Sequence, residues 1–114
     1  MLALNNRLKK QKDFENVFKN GKGFKKKFLY LKINKNGLEF TRFGFVVSTK
    51  VSKKAVERNR LKRIFRDIVR KNLERVVPGL DAVIVANPGI EIKREVIEES
   101  LNTLFYEGGI FKNN

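Results

Sequence analysis

The chain contains no cysteine and no histidine. Disulfides, zinc–thiolate sites, cysteine nucleophiles, Ser–His–Asp triads and histidine acid–base chemistry are therefore excluded. Proline occurs only at Pro78 and Pro88, and no internal repeat, low-complexity tract or linker interrupts the 114 residues. The longest unbroken apolar run, Ala82–Ala86, is far too short to span a membrane. Met1-Leu2-Ala3-Leu4 gives way at once to Asn5-Asn6-Arg7, which offers no secretory hydrophobic region. Acidic side chains are scarce as well: 12, against 26 lysines and arginines, for a formal net charge of +14. What remains is ample for one compact core, since 41% of residues are apolar and ten are phenylalanine. Intrinsic disorder is excluded on the same ground. The expectation is a single domain over residues 1–114, cytoplasmic, with a polyanion as its partner.

The charge is not spread evenly. Residues 1–76 carry 23 basic and 6 acidic side chains, whereas residues 77–114 carry 3 basic and 6 acidic. Solubilising charge would mix its signs along the chain. Concentration in two-thirds of a small domain points to a binding face, and a phosphate backbone is the usual ligand of such a face. A membrane surface is the rival partner on charge alone.

Periodicity sketches the elements. Residues 1–11 form a basic lead-in, expected to be an extended arm with Arg7, Lys9 and Lys10, and Lys12 following. Phe14, Val17 and Phe18 at i, i+3 and i+4 predict a helix over roughly 12–19, stopped by Gly21. Phe28 to Ile33 reads as a strand, with Asn36-Gly37 as a tight turn. Phe24 marks an earlier strand segment. Phe43–Ser48 is a second strong strand. Ser52 is the expected N-cap of a long helix reaching about Arg75, ended before Val77-Pro78-Gly79. Asp81–Ala86 has the apolar character of a buried strand. Asn87-Pro88-Gly89 turns the chain into a last helix near Lys93–Tyr106, with Val96, Ile97, Leu101, Leu104 and Phe105 on one face. The expected class is α+β: a small single sheet covered by helices.

The most informative stretch is Lys50 to Lys71, KVSKKAVERNRLKRIFRDIVRK, with ten basic residues and two acidic ones. At about 100° per residue, Leu61, Ile64, Phe65, Ile68 and Val69 share one flank. Lys62, Arg63, Arg66 and Arg70 fall opposite, with Asn59 among them and Arg60 at the edge. Arginine predominates there, which suits forked contact with phosphate oxygens. With Ser52 as cap, Lys53 and Lys54 occupy the first turn, where positive charge opposes the helix dipole at a cost of about 0.3–1 kcal/mol. A solvated helix face is the ordinary explanation of a charge run, but it would not place lysines against the dipole.

The run K-x-x-K-K-A-V-x-R-N-R-x-K-R-x-x-R from Lys50 through Arg66 closely resembles the signature of the bacterial ribonuclease P protein subunit. Arg58-Asn59-Arg60 stands at its centre. Arg7-Leu8, Asp13-Phe14, Val17-Phe18 and Gly21 are similar to that family's first helix, Phe43–Ser48 to the strand before the motif, and Asp81–Ala86 to the strand after it. The likeness extends over roughly residues 7–106. It implies an αβββαβα order with a left-handed β-α-β crossover, against the general right-handed rule. It also implies a protein that assists a catalytic RNA, an endoribonuclease that removes the 5′ leader of precursor tRNA, with magnesium required by the RNA and no metal assigned to the protein. Lys50, Lys53, Lys54, Arg58, Asn59, Arg60, Lys62, Arg63 and Arg66 are the residues the resemblance directs to the catalytic RNA. Phe14 and Phe18 are those it directs to a cleft for the single-stranded leader, with Tyr30 the candidate for a further aromatic on the first long strand and Lys25, Lys26, Lys27 and Lys32 able to line the same path. No DNA and no membrane partner are expected. By spacing alone Phe14 and Phe18 read as ordinary core at i, i+4, and the strand register between Leu29 and Ile33 stays open by one residue.

Two other classes compete. A general RNA-binding protein would carry the same charge but would not assist leader removal. A self-sufficient metal-dependent nuclease needs converging carboxylates; Glu91, Glu95, Glu98 and Glu99 cluster on the last helix with nothing basic or nucleophilic beside them.

Overall fold

The structure, a computed structural model, describes residues 4–112. Three helices and four strands alternate in the order α1 (Gln11–Asn20), β1 (Lys22–Lys26), β2 (Leu29–Lys35), β3 (Arg42–Val46), α2 (Ala55–Lys71), β4 (Leu80–Ala86) and α3 (Arg94–Glu107). The strands form one sheet in the order β1-β2-β4-β3. β2 runs antiparallel to β1 and β4, whereas β3 and β4 are parallel neighbours joined by α2.

Strand alternation gives the sheet two unlike faces. Phe43 and Phe45 of β3, Ala82, Ile84 and Ala86 of β4, and Leu29, Leu31 and Ile33 of β2 point to one side. There they meet Leu61, Phe65 and Ile68 of α2 and Ile97, Leu101 and Phe105 of α3 in the main core. Each such large side chain, once fully buried, contributes about 1.5–3 kcal/mol. The opposite face carries three cross-sheet rows: Arg42–Asp81–Asn34, Gly44–Val83–Lys32–Gly23, and Val46–Val85–Tyr30–Lys25. Only α1 covers it. Buried Leu8, Val17 and Val83 form a second, much smaller core, with Phe14, Val46 and Val85 packed against it.

Several boundaries differ from the sequence expectation. β1 is a full strand although Phe24 is its one large apolar residue; the Phe24 ring packs against the main core and the lysines around it are exposed. Phe28 lies in the β1–β2 turn and is exposed rather than opening the strand. The β2–β3 connection is wider than a two-residue turn, because the Asn36 side chain organises it, accepting the Leu38 N–H (2.7 Å) and donating to Phe40 and Leu80 carbonyls. α2 stops at Lys71, where Asn72 folds its amide back onto the Ile68 carbonyl (2.8 Å), and Leu73–Arg75 form a separate 3-10 turn. The lead-in is not a free arm from residue 4 onward: Leu4–Asn6 form a 3-10 turn, Leu8 is buried, and its N–H donates to the Phe43 carbonyl (2.8 Å) at the β3 edge. Residues 1–3 of that expected arm lie outside the described residues.

Candidate nucleic-acid interface

The apolar repeat Leu61, Ile64, Phe65, Ile68 and Val69 anchors α2 to the sheet and fixes where its basic residues point. Its entry is built differently from a simple serine cap. The N-cap position is Lys54, without a side-chain capping bond, and the helix starts at Ala55. Ser52 acts one turn earlier, accepting the Lys54 N–H (3.1 Å) and donating its hydroxyl to Glu57. Lys53 and Lys54 therefore stand just before the helix, while Glu57 occupies the first turn and favours the dipole. The expected lysine-against-dipole arrangement inside the first turn is corrected by this geometry, although both lysines remain exposed beside the helix start.

The basic face of α2 divides in three. Asn59, Arg60, Arg63 and Arg70 are exposed and point outward, joined by Val56 at 79% exposure. Lys62 and Arg66, expected opposite the apolar flank, are instead half-buried beside the edge strand β3. On the far side Asp67 pairs with Arg94 (3.0 Å) and Lys71 with Glu98 (3.0 Å) of α3. Arg58 is half-buried, its Nη1 donating to the Ser52 carbonyl (2.9 Å), so it also fastens the loop that precedes the helix. Lys50 is exposed in that loop.

On the other face of the sheet, α1 lies over the Gly44–Val83 row and leaves a cleft beside it. Phe14 is half-buried, and its ring occupies the space above Gly44, where a Cβ would come within 2.4 Å of it. Phe18, one turn further along α1, is 40% exposed, so the two aromatics are not equivalent. The register left open by sequence is settled: Tyr30 and Lys32 both point to this face, Tyr30 beside Val85 and Lys32 beside Val83. The Tyr30 hydroxyl reaches over Gly23 of β1, and Lys25 is the direct cross-strand neighbour of Tyr30. Lys26 faces the other way, paired with Leu29, and Lys27 lies in the turn.

The two surfaces are continuous around the β3 edge. A groove of about 280 Å³ brings Arg7, Lys9 and Phe14 together with Lys62 and Arg66 across Gly44. A wider one of about 380 Å³ links Lys9, Gln11 and Phe14 to Val46 and Lys62. Lys62 thus borders both.

One cluster had no counterpart in the sequence expectations. Arg42 Nε and Nη2 donate to the two carboxylate oxygens of buried Asp81 (2.8 and 2.6 Å), and Nη1 donates to Asp13 of α1 (3.3 Å). Asn36 donates to the same Asp81 carboxylate (2.9 Å). The hydrogen bonds that Arg42 donates to Asp81, with the attraction of both carboxylates, raise the Arg42 pKa above its ordinary value against the cost of desolvation. Aspartate at the head of an apolar strand was the one visible signal. Among the described residues no group of three or more acidic, histidine or cysteine side chains could hold a metal ion. Of the acids expected on the last helix, Glu98 is held by Lys71, whereas Glu91 lies ahead of α3 and pairs with Lys93. No helix among the described residues is long and apolar enough to cross a membrane.

A family model described as Ribonuclease P matches residues 2–108. The ribonuclease P protein component of Fusobacterium nucleatum is 38% identical over 105 residues, covering 88% of this chain and 94% of that protein. The RNase P protein of Staphylococcus aureus superimposes with a TM-score of 0.86 at 25% identity, over 94% of this chain and 98% of the other. That of Thermotoga maritima gives 0.78 at 30% identity, over 89% and 96%.

Proposed function

Because the chain belongs to the ribonuclease P protein component family, we propose that it binds the catalytic RNA of the enzyme through α2 and the 5′ leader of precursor tRNA in the α1 cleft. The observation that carries this reading is the adjacency of the two surfaces. The row of Asn59, Arg60 and Arg63 on α2 and the Phe14 end of the α1 cleft meet around the β3 edge, with Lys62 bordering the grooves there, while Tyr30 lies further along the same sheet face. Lys50, Lys53 and Lys54 extend the cationic row, and half-buried Arg58 and Arg66 flank it.

Each surface has a physical task. Arginine forks bind phosphate oxygens in pairs and neutralise them, which lets a folded RNA hold its magnesium at lower bulk concentration. Stacking on aromatic rings contributes about 1–3 kcal/mol per base and is indifferent to base identity. An enzyme that trims many precursors needs that indifference. Lys25 and Lys32 on the same sheet face would hold the leader's phosphates beside the rings. Leader binding separates substrate from product, since mature tRNA has lost that strand. The protein supplies no histidine or cysteine, and the carboxylates nearest the cleft, Asp13 and Asp81, are engaged by Arg42. The bond-breaking step and its magnesium are assigned to the RNA.

The test is single-turnover cleavage of a precursor tRNA by a bacterial catalytic RNA at low magnesium, with and without the protein. A large rate gain that requires the 5′ leader is expected. Tight RNA binding with no gain would overturn the assignment in favour of a general RNA-binding protein.

A further inference from the structure

α1 is held to the sheet at two points of different kind. One is apolar: Val17, fully buried, sits in the small core with Leu8 and Val83, and the half-buried Phe14 ring packs against the same core. The other is the ion pair between Asp13 and Arg42. At about 100° per residue Asp13 and Val17 lie on adjoining strips of the helix, and Phe14 and Phe18 lie further round on the other side of Val17. That contact holds the Val17 and Phe14 side of this ten-residue helix and leaves the roll on the Asp13 side to the ion pair. Asp13 fixes the roll on one flank, and the aromatic rings project on the other.

The two halves of the pair are unequal. Arg42 is fixed without Asp13, because Asp81 grips it with both oxygens and is itself buried and hydrogen-bonded by Asn36. Asp13 belongs to the element with the smaller core. Both side chains of the Asp13–Arg42 pair remain about a quarter exposed, at 27% and 22%, so the contact adds little to overall stability. Nor is a carboxylate on this face useful to a phosphate ligand, which it would repel. Its effect is geometric.

We propose that Asp13 is a positioning residue: through Arg42 it sets the roll of α1, and so the separation of Phe14 and Phe18 from Val46, Val85 and Tyr30 that a stacked leader base must fit. The inference rests on the leader-binding role of the cleft and adds the device that holds the cleft at working width.

The experiment compares Asp13→Asn, Asp13→Glu and Phe18→Ala in the reconstituted RNA–protein enzyme. Affinity is measured for precursor tRNA, for leaderless tRNA and for the catalytic RNA. Asp13→Asn should weaken precursor binding by about 5- to 10-fold, the lower end of what one lost stacked base costs. Leaderless tRNA and the catalytic RNA should bind as before, and Asp13→Glu should restore part of the loss. The chain has no cysteine, so spin labels at Asn16→Cys on α1 and Lys35→Cys on β2 report the roll directly. Their distance distribution should broaden in Asp13→Asn. If Phe18→Ala loses leader discrimination and Asp13→Asn keeps it with an unchanged distance distribution, the positioning role is overturned and the cleft stands. If Phe18→Ala also keeps discrimination, the cleft reading itself falls. Equal losses on all three RNAs with a lowered melting temperature would make Asp13 a structural residue only.

Discussion

Gly44 lies beneath the Phe14 ring at the β3 end of the second sheet face, and Gly23 lies beneath the Tyr30 hydroxyl at its β1 end. Both glycines are there for space rather than for backbone freedom, since neither has a positive φ. A methyl group at Gly44 would meet the Phe14 ring at 2.4 Å, with Leu8 at 3.3 Å leaving little room beside it. Gly44→Ala should therefore cost about 1–3 kcal/mol, as overpacking usually does. It should also displace Phe14, and so lower leader affinity more than affinity for the catalytic RNA. Urea unfolding and the two binding measurements check this; a stable variant with unchanged leader affinity would show that Phe14 swings aside freely. Asp81 gives a second residue-scale prediction. It is buried and satisfies Arg42 and Asn36 together, so Asp81→Ala leaves a guanidinium without its main partner. The expected cost is about 3 kcal/mol, the lower end for breaking a buried pair because Arg42 keeps some solvent contact. A thermal or urea melt reads it, and a loss below about 1 kcal/mol, the usual worth of an exposed pair, would mean that water replaces the carboxylate.

α2 shows at the scale of an element what a helical repeat tells and what it leaves out. Its apolar flank, Leu61 to Val69, was legible because a 3.6-residue period fixes which side chains share a face. The span of α1 and α3 followed from the same rule to within a residue or so. What a wheel of residues lacks is the position of the sheet beside it. Lys62 and Arg66 look equivalent to Arg63 in the repeat, yet they lean over the β3 edge toward Phe14 while Arg63 faces outward. The start of α2 was missed because Ser52 has the chemistry of a cap but spends its oxygen on a turn ahead of the helix. Arg42, Asp81 and Asp13 were invisible together because their separations of 39 and 29 residues are closed only by the strand order. This element supports a prediction that separates its arginines. Arg60 is exposed, so Arg60→Ala should weaken catalytic-RNA binding and leave the melting temperature unchanged. Arg58 holds the Ser52 carbonyl as well, so Arg58→Ala should lower both. Equal melting temperatures for the two variants would remove Arg58 from any structural role.

The whole molecule is electrically lopsided, and the sequence division at residue 76 becomes a spatial one. α3, the longest element of the acidic segment, lies against α2 on the main-core side of the sheet and pairs Arg94 and Glu98 with Asp67 and Lys71. Those ion pairs match one charge of each sign, Asp67 and Lys71, on one flank of α2. The exposed row through Asn59, Arg60 and Arg63 and the edge groove at Lys62 and Arg66 keep theirs. A formal charge of +14 would by itself attract any polyanion from any direction; the acidic excess of residues 77–114, with α3 on the main-core side, gives the field a front and a back. Binding to the catalytic RNA should then be dominated by counterion release. With six to ten phosphates engaged, affinity should fall by about 10³- to 10⁵-fold between 50 and 200 mM monovalent salt. Leader discrimination should respond far less, because stacking on Phe14, Phe18 and Tyr30 releases few ions. Titrating both against salt separates the two surfaces without a mutation: a steep slope for the catalytic RNA and a shallow one for the ratio of precursor to leaderless tRNA. A flat response of catalytic-RNA affinity would remove the electrostatic basis of the α2 surface. A discrimination ratio that fell as steeply as the affinity itself would mean that the cleft, too, works chiefly through its lysines.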